Sequence, residues 1–432
     1  MNNLILGGGV TGLAAGIASN LPVFEAHTSP GGICSSYYIR PGDSTRLPVA
    51  PEDGEAYRFE LGGGHWLFGG DEAILHFIQN LVPLQTYTRS SSIYFSADDL
   101  YVPYPLQHNL RYLPQQIRAN ALIEMSRPSG SYVTMKQWQR ESFGDTLCEK
   151  FFFPFHELYT AGLYDQIAPQ DGYKSPVNLS LAVQGAFEST SQVGYNTSYV
   201  YPENGLNELT QCMSNLCDIR FKKRVVGIDV NSRVVSFADG NEEQYDELIS
   251  TLPLNKTLEL SGVSVNAAAD PYVSVLVLNI GAVKADKCPG DHWCYTPDTR
   301  SGFHRVGFYS NVDRSFMPES AREQHNRTSI YVERAYPGGN KPSDTEIKEF
   351  SDAVISELQD WGYISSIEVV DPTWIDVAYT WSWPGSQWQQ QSLGALQQQG
   401  IHMVGRYGRW KFQGIADSIR DGFVAGSCFK QR

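Results

Sequence analysis

Glycine, in this chain, sits where backbone chemistry would need it. Gly7-Gly8-Gly9-Val10-Thr11-Gly12 fits the pattern GxGxxG, with glycines at 7, 9 and 12. In that pattern the first glycine permits a tight turn and the second lets the backbone approach a pyrophosphate. The third lets a helix pack closely on its strand. Glu25 stands 18 residues after Gly7, about where ribose hydroxyls need an acceptor. The phosphates of a bound dinucleotide would then sit at a helix N-terminus, where unpaired N–H groups and the helix dipole favour negative charge. No Ser-His-Asp grouping, metal cluster or spaced carboxylate pair stands out, so no metal is expected. The reactive group is expected to be a cofactor that the protein positions.

The elements around the motif agree with it. Asn3–Leu6 reads as a strand, Gly7–Gly12 as the turn, Leu13–Ser19 as a helix and Pro22–Ala26 as the next strand. Gly31-Gly32 follows at the spacing seen in two-dinucleotide-binding flavoproteins, which points to FAD. A second GxGxxG for a nicotinamide cofactor is missing. A helix is expected after Asp71, a good N-cap, through Ile74, Phe77, Ile78 and Leu81. Residues 105–190 look mainly helical. Strands resume at Ile219–Phe221, Val225–Val230, Val234–Phe237 and Glu247–Leu252. Residues 272–283, 304–311 and 328–335 read as strands of another sheet, followed by a helix over Asp344–Trp361. The end returns to strand (Ile401–Val404), glycine turn and helix.

This order predicts an α/β protein whose Rossmann-type FAD-binding domain is assembled from separated segments, 1–85, 200–265 and 370–432. A mainly helical insertion spans 86–199, and an antiparallel-sheet substrate domain spans 266–369. The chain has 432 residues and a formal charge of −14, from 33 Lys plus Arg against 47 Asp plus Glu. Nucleic acid and anionic membrane are therefore expected to be repelled over most of the surface. No apolar stretch reaches the length of a membrane span. The 7 cysteines are scattered without a CxxC, which suggests free thiols and a cytoplasmic location.

Beyond the glycines, several segments resemble the UDP-galactopyranose mutases, within the wider superfamily of amine oxidases and protoporphyrinogen oxidases. The segments are Gly62-Gly63-Gly64-His65-Trp66, Arg89 with Val102-Pro103-Tyr104-Pro105-Leu106-Gln107-His108-Asn109, and Phe153-Pro154-Phe155-His156. Trp293-Cys294-Tyr295 with Phe303-His304-Arg305, and Gly405-Arg406-Tyr407-Gly408-Arg409-Trp410-Lys411-Phe412, complete the set. The resemblance implies a mutase interconverting pyranose and furanose forms of a nucleotide sugar, with reduced flavin N5 as nucleophile on the anomeric carbon. Such an isomerase would serve cell-surface polysaccharide synthesis. It would use NADH or NADPH as a candidate external reductant, with a homo-oligomer as an option. The alternative is a flavin oxidase or desaturase of the amine-oxidase superfamily.

Carried over by motif, Gly64 and His65 would lie against the flavin ring, with Arg89 near it. Val225, Val226, Gly405 and Arg406 would join Gly7, Gly9, Gly12, Glu25, Gly31 and Gly32 at the cofactor. His65, Arg89 and Arg305 would be catalytic. A nucleoside-diphosphate sugar would meet Tyr104, Gln107, His156, Lys174, Tyr295, Arg305, Trp383 and Phe412. Lys174 stands where the family has a second arginine, and it keeps the charge but lacks the bidentate fork. Trp383 and Phe412 replace tyrosines, so two hydroxyls are missing. Competing structural readings stay open: a salt bridge for Arg305, core packing for Trp383 and Phe412, and a rigid turn for Tyr104 and Gln107.

Overall fold

A computed structural model describes residues 2–127, 129–170, 172, 175–189 and 196–429. Its parallel sheet runs, in spatial order, Ile401–Met403, Glu247–Ser250, Asn3–Leu6, Val23–Phe24 and Ile219–Arg220. Asn3–Leu6 is buried along its whole length and pairs in parallel on both sides, which explains its continuous apolar character. Three well-separated stretches of chain thus build one α/β layer. A small antiparallel sheet of Val225–Asp229, Val234–Phe237 and Glu242–Gln244 lies in the chain between the parallel strands Ile219–Arg220 and Glu247–Ser250.

The second large sheet has seven strands, in the order Ile364–Thr380, Tyr272–Lys284, Arg327–Pro337, Arg305–Phe308, Trp293–Tyr295, Ser91–Phe95 and Leu100–Pro103. Every pair is antiparallel except Trp293–Tyr295 with Ser91–Phe95. The sheet does not keep to the expected substrate domain of 266–369. Residues 91–103 belong to it rather than to a helical insertion, and the strand Ile364–Thr380 runs across position 370. Residues 304–311, expected as one strand, divide into the strand Arg305–Phe308 and a single helical turn, Tyr309–Val312. The helix Asp344–Asp360 covers one face with Phe350, Val354 and Leu358. A capping box of Ser343 and Glu346 starts it.

The expected helix after Asp71 is Glu72–Leu81, and the Asp71 carboxylate accepts a hydrogen bond from Ala73 N at 2.9 Å. Between 105 and 190 lie the helices Gln115–Met125, Met135–Leu147, Phe153–Tyr159 and Leu179–Phe187. None of the described helices is long and apolar enough to cross a membrane. The seven cysteines form no disulfide.

The glycine-turn helix, Val10–Ser19, packs against the C-terminal helix Ile415–Cys428. Their backbones approach so closely that a Cβ on Gly422 would overlap the Thr11 carbonyl, and one on Gly426 the Ala15 carbonyl. Both clashes are with backbone, which has little room to yield. Gly422→Val should therefore separate the two helices and cost about 1–3 kcal/mol, read as a lower Tm in thermal unfolding. An unchanged Tm would mean that the helices do not meet at this glycine.

Candidate active site

A cavity of about 910 Å³ takes its wall from both large sheets. That volume lies near the upper end of the ~300–1,000 Å³ range of small-molecule and cofactor sites. Four residues of the wall, Gly7, Glu25, Thr251 and Gly405, come one or two positions after the C-terminal ends of parallel strands. Open α/β sheets bind ligands in that crevice.

The glycine turn is shaped by contacts that only glycine allows. Gly7 has φ 98°, and a Cβ on Gly12 would overlap the Gly7 carbonyl, so the helix starts directly against the strand. At Gly9 and Gly32 the situation is the reverse. A Cβ there would meet nothing nearer than 3.9 and 3.7 Å, and both residues face the cavity. A larger side chain at Gly9, whose φ is −71°, would fill a cradle rather than strike the fold, whereas Gly32, at φ 58°, also needs glycine for its backbone. Glu25 clamps the turn, accepting hydrogen bonds from Gly8 N at 2.7 Å and His27 N at 2.8 Å. Two helices, Val10–Ser19 and Ile415–Cys428, start at the cavity from Gly9 and Gly414, and neither N-cap supplies a side-chain acceptor. Their first N–H groups lack intrahelical partners and carry the positive end of the dipole. Five cationic side chains (Arg46, Lys223, Arg224, Arg305, Arg406) face three carboxylates (Glu25, Glu333, Asp376) around the wall, against the net charge of −14 for the chain. Arg46, Lys223 and Arg305 are ion-paired with Asp371, Asp239 and Glu333, so the helix starts carry much of the wall's attraction for an anion.

Several titratable groups of the wall are shifted by burial and by one another. His65 lies in the wall after the glycine run. A Cβ on Gly64 would overlap the Tyr331 hydroxyl, so glycine keeps this loop tight against the strand Arg327–Pro337. Burial first, and the Arg406 guanidinium second, bring the His65 imidazole down to about 4. Arg406 donates from Nη2 to the Ala378 carbonyl at 3.0 Å and stands over the Phe412 ring at 4.7 Å. Arg305 and Glu333 are register partners on neighbouring strands, and their ion pair closes at 2.5 Å with Glu333 only 2% exposed. Burial pushes the Glu333 carboxyl up, but Arg305 and His304 overcome it and hold it at about 2. His304, also in the wall, has Nε2 3.5 Å from Glu333 and is itself held below its ordinary value by burial. His65 Nδ1, His304 Nδ1 and Arg305 Nε are buried without a hydrogen-bond partner, three polar atoms on wall residues that a ligand could satisfy.

Most of the residues singled out in the sequence meet in this cavity. Gly7, Gly9, Glu25, Gly31, Gly32, Gly64, His65, Val225, Gly405 and Arg406 line it, as do Tyr104, His156, Tyr295, Arg305 and Phe412. Tyr104 and Tyr295 stand side by side with ring centroids 4.9 Å apart. Four residues stand elsewhere. Val226 is 54% exposed, because it alternates with Val225 along its strand. Gln107 is buried behind the wall, with Nε2 donating to the Pro176 carbonyl at 2.9 Å. Trp383 donates from Nε1 to the Ala269 carbonyl at 2.9 Å, away from the cavity lining. Arg89 is 1% exposed and backs the wall. It hydrogen-bonds Asn196, donates to the Tyr104 carbonyl at 3.2 Å, and so holds two wall residues from behind. Lys174 lies outside the described residues. Gly12 packs helix on strand beneath the turn.

Glu333, His304 and Tyr379 are wall residues that the sequence reading passed over. A signal existed for Glu333, a lone carboxylate inside the apolar strand read at 328–335. Tyr379 had none, since its strand carries Glu368, Asp371 and Pro372. Pro372 is tolerated because that strand is an edge of its sheet.

Fold and cavity together define a protein with one deep crevice walled by both large sheets. Residues 12–425 match the model of the flavin containing amine oxidoreductases, and the chain belongs to that family. It is a flavin-dependent enzyme. Among solved structures it is similar to a reduced UDP-galactopyranose mutase, with a TM-score of 0.83 and 21% identity, covering 98% of this chain and 94% of that one. An Exiguobacterium sp. 255-15 protein with a provisional protoporphyrinogen oxidase assignment gives a TM-score of 0.71 and 16% identity over 99% of this chain and 98% of that one. Putrescine oxidase bound to putrescine gives 0.55 and 14% over 99% and 98%. The fold is that of the mutase and oxidase structures alike.

Two outcomes test the geometry. Arg305→Met leaves Glu333 as an uncompensated buried charge and should cost about 3–5 kcal/mol in urea unfolding at pH 7. Arg305→Met with Glu333→Gln should recover most of that loss. In the wild type the pair's contribution is full above the ordinary carboxylate pKa and is lost as pH falls toward 2. A single substitution as stable as wild type would contradict the ion pair. For His65, a folded pKa below the unfolded one means that protons bind the unfolded state more readily. Stability therefore drops as pH falls from 6.5 toward 4. The His65 imidazole resonances should stay flat from about pH 5.5 to 8 and titrate near 4, whereas a midpoint near 6.5 would contradict the buried placement.

Proposed function

We infer that this chain is an FAD-dependent nucleotide-sugar mutase that interconverts pyranose and furanose ring forms. The observation that carries the reading is the convergence of Tyr104, Tyr295 and Arg305 on one cavity with His65 and the glycine cradle. Overlay on a reduced UDP-galactopyranose mutase over nearly the whole chain supports it. The cradle fits FAD: open space at Gly9 and Gly32, a clamped acidic residue at Glu25, and two uncapped helix starts suit phosphates at one end and an electron-rich ring at the other.

When bound and reduced, FAD supplies a nucleophilic nitrogen for the anomeric carbon, with no net redox change. The chain does the rest. Arg305 presents its unpartnered Nε to the leaving diphosphate, while Glu333 fixes the guanidinium through Nη2 at 2.5 and 2.6 Å. Tyr295 and Tyr104 offer hydroxyls and flat apolar faces to the nucleotide. His65, held neutral, offers one ring nitrogen beside the cofactor without adding positive charge there. Arg406 supplies charge to the cofactor end. Arg89 acts on the substrate only by holding Tyr104 and Asn196. NADH or NADPH would serve to reduce the flavin.

One observation favours a second reading, a flavin oxidase. Glu333 cancels the charge of Arg305, and Phe412 faces the cavity without a hydroxyl, so the substrate wall is less cationic than a diphosphate would use best. The two readings separate in one experiment. The flavin-loaded protein is reduced with dithionite and incubated with UDP-galactose and other nucleotide sugars, and in parallel the oxidised protein is given amines and nucleotide sugars under oxygen. The mutase reading expects ring-contracted product from the reduced protein alone. Substrate-dependent oxygen consumption by the oxidised protein, without ring contraction, would replace it with the oxidase.

A further inference from the structure

A second concavity, of about 300 Å³, opens at the far end of the seven-stranded sheet. Its lining includes Lys284, Arg314, His325 and Arg327 and contains no carboxylate, on a chain whose net charge is −14. Lys284 ends the strand Tyr272–Lys284, and Arg327 begins the strand paired with it. From Arg327 to Glu333 is six residues along one strand, about 20 Å at the usual rise, so the concavity is separate from the flavin cavity.

Its cations are held in place rather than left to sweep through solvent. Arg314 donates from Nη1 to the Arg322 carbonyl at 3.1 Å, and its Nη2 lies 3.0 Å from His325 Nδ1. Arg327 donates from Nε to both oxygens of Glu368, at 2.8 and 2.9 Å. That ion pair orients the guanidinium and cancels one positive charge. Lys284 makes no hydrogen bond or ion pair through Nζ among the described residues, and Arg314 has no carboxylate partner among them. Two permanent charges therefore remain uncompensated around one small hollow, floored by Val312 and Met317. Like charges held around one hollow repel, a cost that an anion between them would offset.

We propose that this hollow is a second ligand site, for a small phosphate or phosphate monoester. The remaining N–H donors of Arg314 and the Lys284 ammonium together suit a phosphate dianion. The volume is at the low end for a ligand site, and no large aromatic ring lines it to stack a base. The occupant is a compact phosphate, not a second nucleotide.

The test uses the flavin-loaded protein, with total ionic strength held constant by chloride. Inorganic phosphate and a hexose monophosphate are titrated by calorimetry against wild type, Lys284→Gln/Arg314→Gln and Lys284→Arg. Wild type should bind saturably at one site, the double variant at least tenfold more weakly, and Lys284→Arg within a few-fold of wild type. Tighter binding of the hexose phosphate would assign an ester, and equal or weaker binding inorganic phosphate itself. The flavin spectrum should not move in any arm. Absence of saturable binding, equal affinity in the double variant, or binding that displaces flavin would each overturn the proposal.

Discussion

Two helices of this chain begin at one cavity with no side chain to cap them. In most helices a serine, threonine, aspartate or asparagine accepts the first free N–H groups. Here Gly9 and Gly414 occupy those positions, and the donors are left for something else. Much of the molecule is arranged to keep them so. Gly12 brings the first helix against its strand, Glu25 holds the turn by two backbone N–H groups, and Gly422 and Gly426 lock the two helices together. An anion of extended shape at the cavity is the simplest partner for both helix starts, and a flavin dinucleotide is such an anion.

The substrate wall obeys a different constraint. Arg305 and Glu333 face each other across antiparallel strands, so the ion pair is set by register rather than by a loop. A slip of one residue in either strand would turn one of the two side chains to the opposite face of the sheet and part the pair. The pairing keeps a buried carboxylate ionised and leaves Arg305 Nε as the donor still open. Ligand charge is then met by single, oriented donors instead of by a pool of free cations. This distinguishes the Arg305 wall from the glycine-turn wall, where helix dipoles and backbone N–H groups supply the positive potential.

Local pattern made the parallel sheet and its cofactor turn legible in the sequence. Period, glycine spacing and Glu25 are short-range features, and the strands beside them are continuous apolar runs. The seven-stranded sheet was harder to read. Strand Ile364–Thr380 carries Glu368, Asp371 and Pro372, which its edge position tolerates but which erase the usual alternation. Ser91–Phe95 joins the sheet through its one parallel pair, a long-range contact that no local signal encodes. Motif similarity pointed to Tyr104, Tyr295, Arg305 and His65, which the fold brings to one cavity wall, whereas the side chains of Arg89, Gln107, Trp383 and Val226 sit beside or behind that wall. Spacing along a segment says which residues are near a ligand, and only packing says which of them face it.

The glycine cradle is tested most directly by flavin content in Gly9→Leu. Gly9 has φ −71°, which any residue adopts, and open space where its Cβ would be, so the variant should fold and melt like wild type. Purified wild type should carry close to one FAD per chain, and Gly9→Leu almost none, even after incubation with excess FAD. A folded Gly9→Leu protein with full flavin content would contradict the placement of the phosphates.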